Sequence, residues 1–151
     1  MSVVYVGLGS NLGDRAGFLR RALQDLRQVQ GLQLIACSGF RRTDPVGGPE
    51  QPDYVNAVVR AESSRRPEAL LQELLHIEGR HGRHRQVPNG PRTLDLDLLL
   101  YGQHRSQTQS LELPHPRLEQ RRFVLEPLAE LSPRLTLADG RTPAECLASL
   151  A

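Results

Sequence analysis

The chain predicts an α+β sandwich, helices laid on one sheet, and three observations carry that expectation. Apolar residues alternate at period two over Val3–Leu8, Leu32–Phe40, Tyr54–Glu62 and the Asp95–Tyr101 region. Between them lie two stripes at helical spacing. The resulting order up to residue 102 is strand, helix, strand, strand, helix, strand, the split βαββαβ arrangement of ferredoxin-like folds. Further strands and helices follow at the C-terminal end, and at 151 residues the chain is expected to form a single domain, 1–151.

Each element has its own signal. Val3–Leu8 runs into Gly9-Ser10-Asn11-Leu12-Gly13-Asp14, a turn-rich loop whose last residue suits a helix cap. Phe18, Leu19, Ala22, Leu23, Leu26 and Val29 then share one helical stripe, with Gly31 placed to end it. After the Leu32–Phe40 strand, prolines and glycines between Arg41 and Asp53 predict a long binding loop. Tyr54–Glu62 is apolar on both faces, as a central strand would be. Pro67 opens a second helix with Leu70, Leu71, Leu74, Leu75 and Ile77 as its buried stripe, ending near Gly79. A basic, irregular loop from Arg80 to Arg92 leads into the last core strand. Beyond Gly102 the pattern weakens, then predicts a helix holding Leu118 through Leu128, a short strand at Leu135–Leu137, and a final helix from Pro143.

Composition excludes several classes. Hydrophobic residues make up 38% and charged residues 24%, which fits neither a membrane-spanning nor a disordered chain. Cys37 and Cys146 have no metal or redox spacing, and the N-terminus has no charged leader, so a cytoplasmic protein is expected. A net charge of +2 argues against a protein that wraps nucleic acid. All 19 basic residues are arginine, so arginine position rather than identity is informative.

The chemistry concentrates in Gly90-Pro91-Arg92-Thr93-Leu94-Asp95-Leu96-Asp97-Leu98. Alternation puts Asp95 and Asp97 on one face, with Cα atoms roughly 6.7 Å apart, and leaves Leu94, Leu96 and Leu98 for the core. Asp-x-Asp on a strand is also what a solvated sheet face looks like. Asp is disfavoured in strands, however, and here two interrupt a run of leucines. Paired carboxylates suit a hard divalent cation such as Mg²⁺, which completes its shell with water and phosphate oxygens. Arg92 and the arginines of the preceding loop supply forks that match phosphate.

Read together, Gly9-Ser10-Asn11-Leu12, Gln51-Pro52-Asp53-Tyr54-Val55-Asn56, Gly90 to Asp97, Pro114-His115, Arg121 to Phe123 and Pro127-Leu128 resemble, in order, the 6-hydroxymethyl-7,8-dihydropterin pyrophosphokinase family. The resemblance implies transfer of the diphosphate of ATP to the hydroxymethyl group of 6-hydroxymethyl-7,8-dihydropterin, with release of AMP, in folate biosynthesis. It implies two Mg²⁺ ions bridged by Asp95 and Asp97, and catalytic roles for Arg83, Arg92 and Asp97. ATP contacts would fall to Glu78, Arg83, Arg85, Arg92, Leu98, His115 and Arg121. The pterin would be held between Tyr54 and Phe123 and read by Asn56 with Thr43 and Val46. Small-molecule substrates are thus the expected partners, with no nucleic acid or membrane, and the chain is expected to be a monomer. The sequence departs from the family at Asn89, where a tryptophan is common.

Two other readings remain open on the residues alone. Ferredoxin-like sheets also present aromatic residues to RNA bases, although aromatic-rich central strands are missing here. A related nucleotidyl or phosphoryl transferase would use the same metals with another acceptor.

Overall fold

The computed structural model describes residues 1–44, 50–82 and 93–150. Its main sheet is built from β1 (Ser2–Ser10), β2 (Leu32–Cys37), β3 (Arg41–Thr43), β4 (Tyr54–Ser63) and β5 (Asp95–Tyr101). Strand order is β2-β4-β1-β5, every neighbour antiparallel, with β3 pairing a further stretch of β4. Helices α1 (Arg15–Arg27) and α2 (Pro67–Arg80) connect β1 to β2 and β4 to β5, so each crossover leaves one strand's width between its ends. That is the ferredoxin-like interleaving expected from the element order.

Alternation sorts the side chains into two layers. Val4, Val6 and Leu8 of β1, Ala57, Val59 and Ala61 of β4, and Leu96 and Leu98 of β5 join Leu19, Ala22, Leu26, Leu70, Leu74 and Ile77 of the two helices in one continuous core. The opposite face carries a second, smaller core made by Tyr5, Val58, Leu99 and Leu100 with Leu118, Val124, Leu125 and Leu128. Those last residues belong to a short 3₁₀ turn (Leu118–Gln120) and to α3 (Arg122–Leu131), against which α4 (Pro143–Ala148) packs through Cys146.

Local chemistry explains the element ends. Asp14 accepts the Gly17 amide at 3.1 Å and starts α1, as its position predicts. Pro67 stands in the first turn of α2, where its missing N–H costs nothing. Thr142 and Glu145 form a reciprocal capping box at the start of α4.

Several expectations are corrected. Leu32–Phe40 is not one strand: β2 ends at Cys37, where the Ser38 hydroxyl accepts the Val58 amide at 2.9 Å, and the chain re-enters the sheet as β3. The binding loop therefore begins after Thr43. On α2 the buried stripe is Leu70, Leu74, Ile77 and Glu78, while Leu75 faces out. Helix α1 ends at Arg27, and Gly31, with φ 83°, makes the later turn into β2. The helix expected from Leu118 is split, because Arg121 leaves the helical region before α3 starts. Leu135–Leu137 forms no strand; bonds from Leu137 N–H to Arg141 O and from Gly140 N–H to Leu137 O close a turn there. The weakly patterned stretch instead holds a small hairpin, β6 (Ser106–Gln107) with β7 (Glu112–Leu113). No helix among the described residues is long and apolar enough to cross a membrane.

Candidate active site

Strand register builds the floor of the site. Asn56 of β4, Gly9 of β1 and Asp95 of β5 form one row across three strands, and Val58, Gly7 and Asp97 form the next. All six open into one cavity of about 340 Å³ between the sheet and α3. The middle strand contributes no side chain to either row, which is what keeps the floor low. A methyl group at Gly9 would lie 2.7 Å from Asn56 Oδ1 and 3.4 Å from the Tyr54 ring, and at Gly7 it would touch Leu99 at 3.4 Å. Tyr54 and the Asn56 amide thus occupy space that any other residue at position 9 would fill.

The two aspartates share this face, as alternation predicts, while Leu94, Leu96 and Leu98 are buried on the other. Glu78 fixes their strand. β5 is a sheet edge, and Glu78, only 2% exposed, accepts the Leu96 amide between the two aspartates at 2.7 Å. A buried carboxylate bond to backbone N–H covers that edge and holds the register of both acids.

The opposite wall comes from the segment between β7 and α3. His115 is tied to β5 through its amide, which donates to Leu99 O at 2.9 Å. Its Nδ1 lies 2.7 Å from the Pro116 carbonyl, an acceptor only, so that nitrogen carries a proton and Nε2 faces Asp97, 4.0 Å from Oδ1. Arg121 is half buried and stacks its guanidinium 5.4 Å from the Phe123 ring centre. Burial lowers its pKa and Arg117 pushes the same way, while Asp97 and Asp95 oppose them. The cavity therefore sets cations on one wall against carboxylates on its floor, with space between.

Thr43, Tyr54, Asn56, Asp95, Asp97, His115, Arg121 and Phe123 all line this cavity. Asn56 also donates to the Thr43 hydroxyl, which orients its amide. Glu78 and Leu98 are not brought there: both side chains are buried on the far side of the sheet or its edge. Val46, Arg83, Arg85 and Arg92 lie outside the described residues. Sequence reasoning missed Gly7, Gly9 and Arg117, which also line the cavity. Glycines at alternate positions of an otherwise apolar strand were the available signal, since glycine in a strand marks close approach by another group.

Chemically, no group of three or more His, Cys, Asp or Glu among the described residues is arranged to hold a metal ion, so the two carboxylates do not belong to a closed metal cage. They fit a hard cation that keeps most of its shell for water and a ligand's oxygens. The cationic wall opposite fits the charge of phosphate.

Comparison with known proteins follows the same line. The sequence profile of 7,8-dihydro-6-hydroxymethylpterin-pyrophosphokinase matches residues 5–133. The 2-amino-4-hydroxy-6-hydroxymethyldihydropteridine pyrophosphokinase of Haemophilus influenzae is 40% identical over 151 residues, all of this chain and 94% of that protein. Its counterpart from Pseudomonas aeruginosa is 42% identical over 146 residues, 97% of this chain and 90% of that one. Among solved structures, an HPPK-DHPS complex with substrates superposes with a TM-score of 0.73 at 12% identity, covering 98% of this chain and 43% of that one. The Plasmodium falciparum HPPK-DHPS superposes with a TM-score of 0.70 over 97% of this chain and 43% of that one. The structural likeness carries the fold alone, and the sequence likeness carries the rest: this chain belongs to the 7,8-dihydro-6-hydroxymethylpterin-pyrophosphokinase family.

Proposed function

We propose that this chain transfers the terminal diphosphate of ATP to the hydroxymethyl group of 6-hydroxymethyl-7,8-dihydropterin and releases AMP. The observation that supports it best is the pair of register rows that put Asn56 and two aspartates on one glycine-lowered floor. Asn56 donates and accepts in one plane, the pattern needed to read the edge of a flat heterocycle. Tyr54 and Phe123 supply aromatic surface beside it. A cavity of about 340 Å³ lies near the lower end of small-molecule sites, roughly 300–1,000 Å³, and is large enough for a bicyclic ring with its chain.

Asp95 and Asp97 would hold two Mg²⁺ ions, whose bound chemistry is to neutralise phosphate charge and polarise the phosphorus that is attacked. Asp95 and Asp97 fix where that charge sits, because Glu78 and the β1 ladder hold their strand rigid. His115 and Arg121 would draw the phosphate oxygens to the opposite wall. Tyr54, Asn56 and Phe123 would hold the pterin so that its hydroxyl faces the same point. Positioning of this kind supplies most of the acceleration in phosphoryl transfer. Arg83 and Arg92 keep the catalytic roles that the resemblance assigns, with Arg85 at the nucleotide and Val46 at the pterin. For Glu78 we favour holding the aspartate strand over contact with ATP, and for Leu98 packing in the core.

We also read the protein as a cytoplasmic monomer of one domain. Sedimentation and a single cooperative unfolding transition test that. The reaction is tested by mixing protein, ATP, Mg²⁺ and the hydroxymethyl dihydropterin: AMP is expected, and ADP as product would refute the diphosphoryl transfer.

A further inference from the structure

Five arginines line the main cavity or a second one that adjoins it along Thr43, Asp44, Arg117, Arg121 and Phe123. Three of the five are matched by carboxylates: Arg41 by Glu130 at 2.6 Å, Arg42 by Asp53 at 3.4 Å and Arg122 by Glu126 at 3.6 Å. Among the described residues, Arg117 and Arg121 have no carboxylate within ion-pair distance, and these two border both cavities. They also repel one another, since Arg117 acts to lower the Arg121 pKa.

The backbone adds an independent observation. Arg117 is, among the described residues, the one non-glycine with positive φ, at 66°. Glycine or asparagine is the ordinary occupant of that left-handed region, and any longer L-residue there is strained. The chain holds a large cation at a position that favours glycine, and aims it beside a like charge at the mouth of the site. Strain retained at a cavity points to a use for the side chain.

We infer that Arg117 is a further polyphosphate-binding residue, which grips phosphate oxygens together with Arg121 at the seam between the two cavities. A phosphate oxygen between the two guanidinium groups removes their repulsion and engages both forks. The second cavity opens from the same seam, so the clamp borders both. This inference rests on the reading of the site as one for polyphosphate.

The test compares the wild-type protein with Arg117→Ala, Arg117→Gly and Arg117→Lys, using inorganic tripolyphosphate with Mg²⁺ as the probe in calorimetry. Alanine and glycine variants should each bind about tenfold more weakly. The glycine variant should do so with a melting temperature no lower than wild type, because it relieves the strained φ. Lysine, a point charge without the fork, should fall between. Binding by the alanine and glycine variants within threefold of wild type overturns the inference; a larger loss in both supports it. Failure of the wild type to bind tripolyphosphate also overturns it, and the AMP assay then tells the two readings apart. AMP formed without tripolyphosphate binding leaves the reaction standing and removes only the clamp.

Discussion

The two faces of the sheet are cut from the same strands and do opposite things. On the α1 and α2 face, Val4, Val6, Leu8, Leu96 and Leu98 are almost fully buried and make one apolar layer. On the α3 face, the intervening positions of the same strands are Tyr5, Gly7, Gly9, Asp95 and Asp97. One end of that face is closed by α3 over Tyr5, Val58 and Leu100, and the other end is left open as the site. The lesson is a division of labour by parity. Stability is concentrated at one set of alternate residues, which leaves the other set able to carry carboxylates and glycines that a core would not tolerate.

Substitutions at neighbouring positions should break that division in opposite ways. The largest effect is expected at Asp97, whose side chain is 45% exposed to the cavity. Asp97→Ala should lower the rate of AMP formation by roughly 10³-fold, the scale for loss of a preorganised charge in a site, with a melting temperature close to wild type. A near-normal rate would contradict its place in the site. Next comes its opposite number, Leu74→Ala, on the buried stripe of α2. It should cost about 2–5 kcal/mol in urea unfolding while the folded fraction keeps its KM values. Changed KM values would mean that the two faces are coupled.

A subtler break is Gly9→Ala, which adds one methyl against Asn56 Oδ1 and should raise KM for the pterin about tenfold, leaving binding of Mg²⁺ and ATP little changed. Steady-state kinetics with each substrate varied will check this. The smallest effect concerns the far end of the α3 face, at α4. Hydrogen bonds from Thr142, first through its amide, lower the Glu145 pKa below its ordinary 4.5, and bonds from Arg141 lower that of Asp139. A depressed carboxylate stabilises above its unfolded pKa and loses that contribution as pH falls through the folded value. The start of α4 should therefore fray below about pH 4.5 before the main core yields, seen as amide exchange of residues 143–148. Glu145→Ala should remove that pH dependence, while activity near neutral pH stays as in the wild type.

The same parity decides how much was legible in the sequence. Period-two and helical patterns of apolar residues gave the strand and helix order, because burial on one face is a strong and local constraint. Asp95 and Asp97 stood out because charge interrupts that pattern. Gly7 and Gly9 carry a weaker mark, two alternate glycines in an apolar strand, whose meaning shows only when register aligns them with Asn56 and Asp97 on other strands. β3 was hidden by its length of three residues and by its arginines, which are held by Glu130 and Asp53 from other parts of the chain. Arg117 carries no mark in the sequence, and only its φ sets it apart. Glu78 is assigned to ATP only by the resemblance, whereas its carboxylate accepts the Leu96 amide. The expected roles of Val46, Arg83, Arg85 and Arg92 lie outside the described residues.

Leu99 resets the phase of β5. Tyr5 pairs with Leu100 and Val6 with Leu98, so Leu99 is one residue more than the facing strand requires. Leu99 and Leu100 therefore both turn toward α3, and Tyr101 returns to the opposite core, where its hydroxyl bonds the Arg65 carbonyl. Without that extra residue, two positions beyond Asp97, the strand would alternate regularly, and Leu98, Leu100 and Tyr101 would keep their present faces. What would be lost is the second consecutive leucine that β5 gives the α3 layer, lying over Gly7; a strand that kept Leu99 but not the bulge would instead send Leu100 and Tyr101 to the wrong layers.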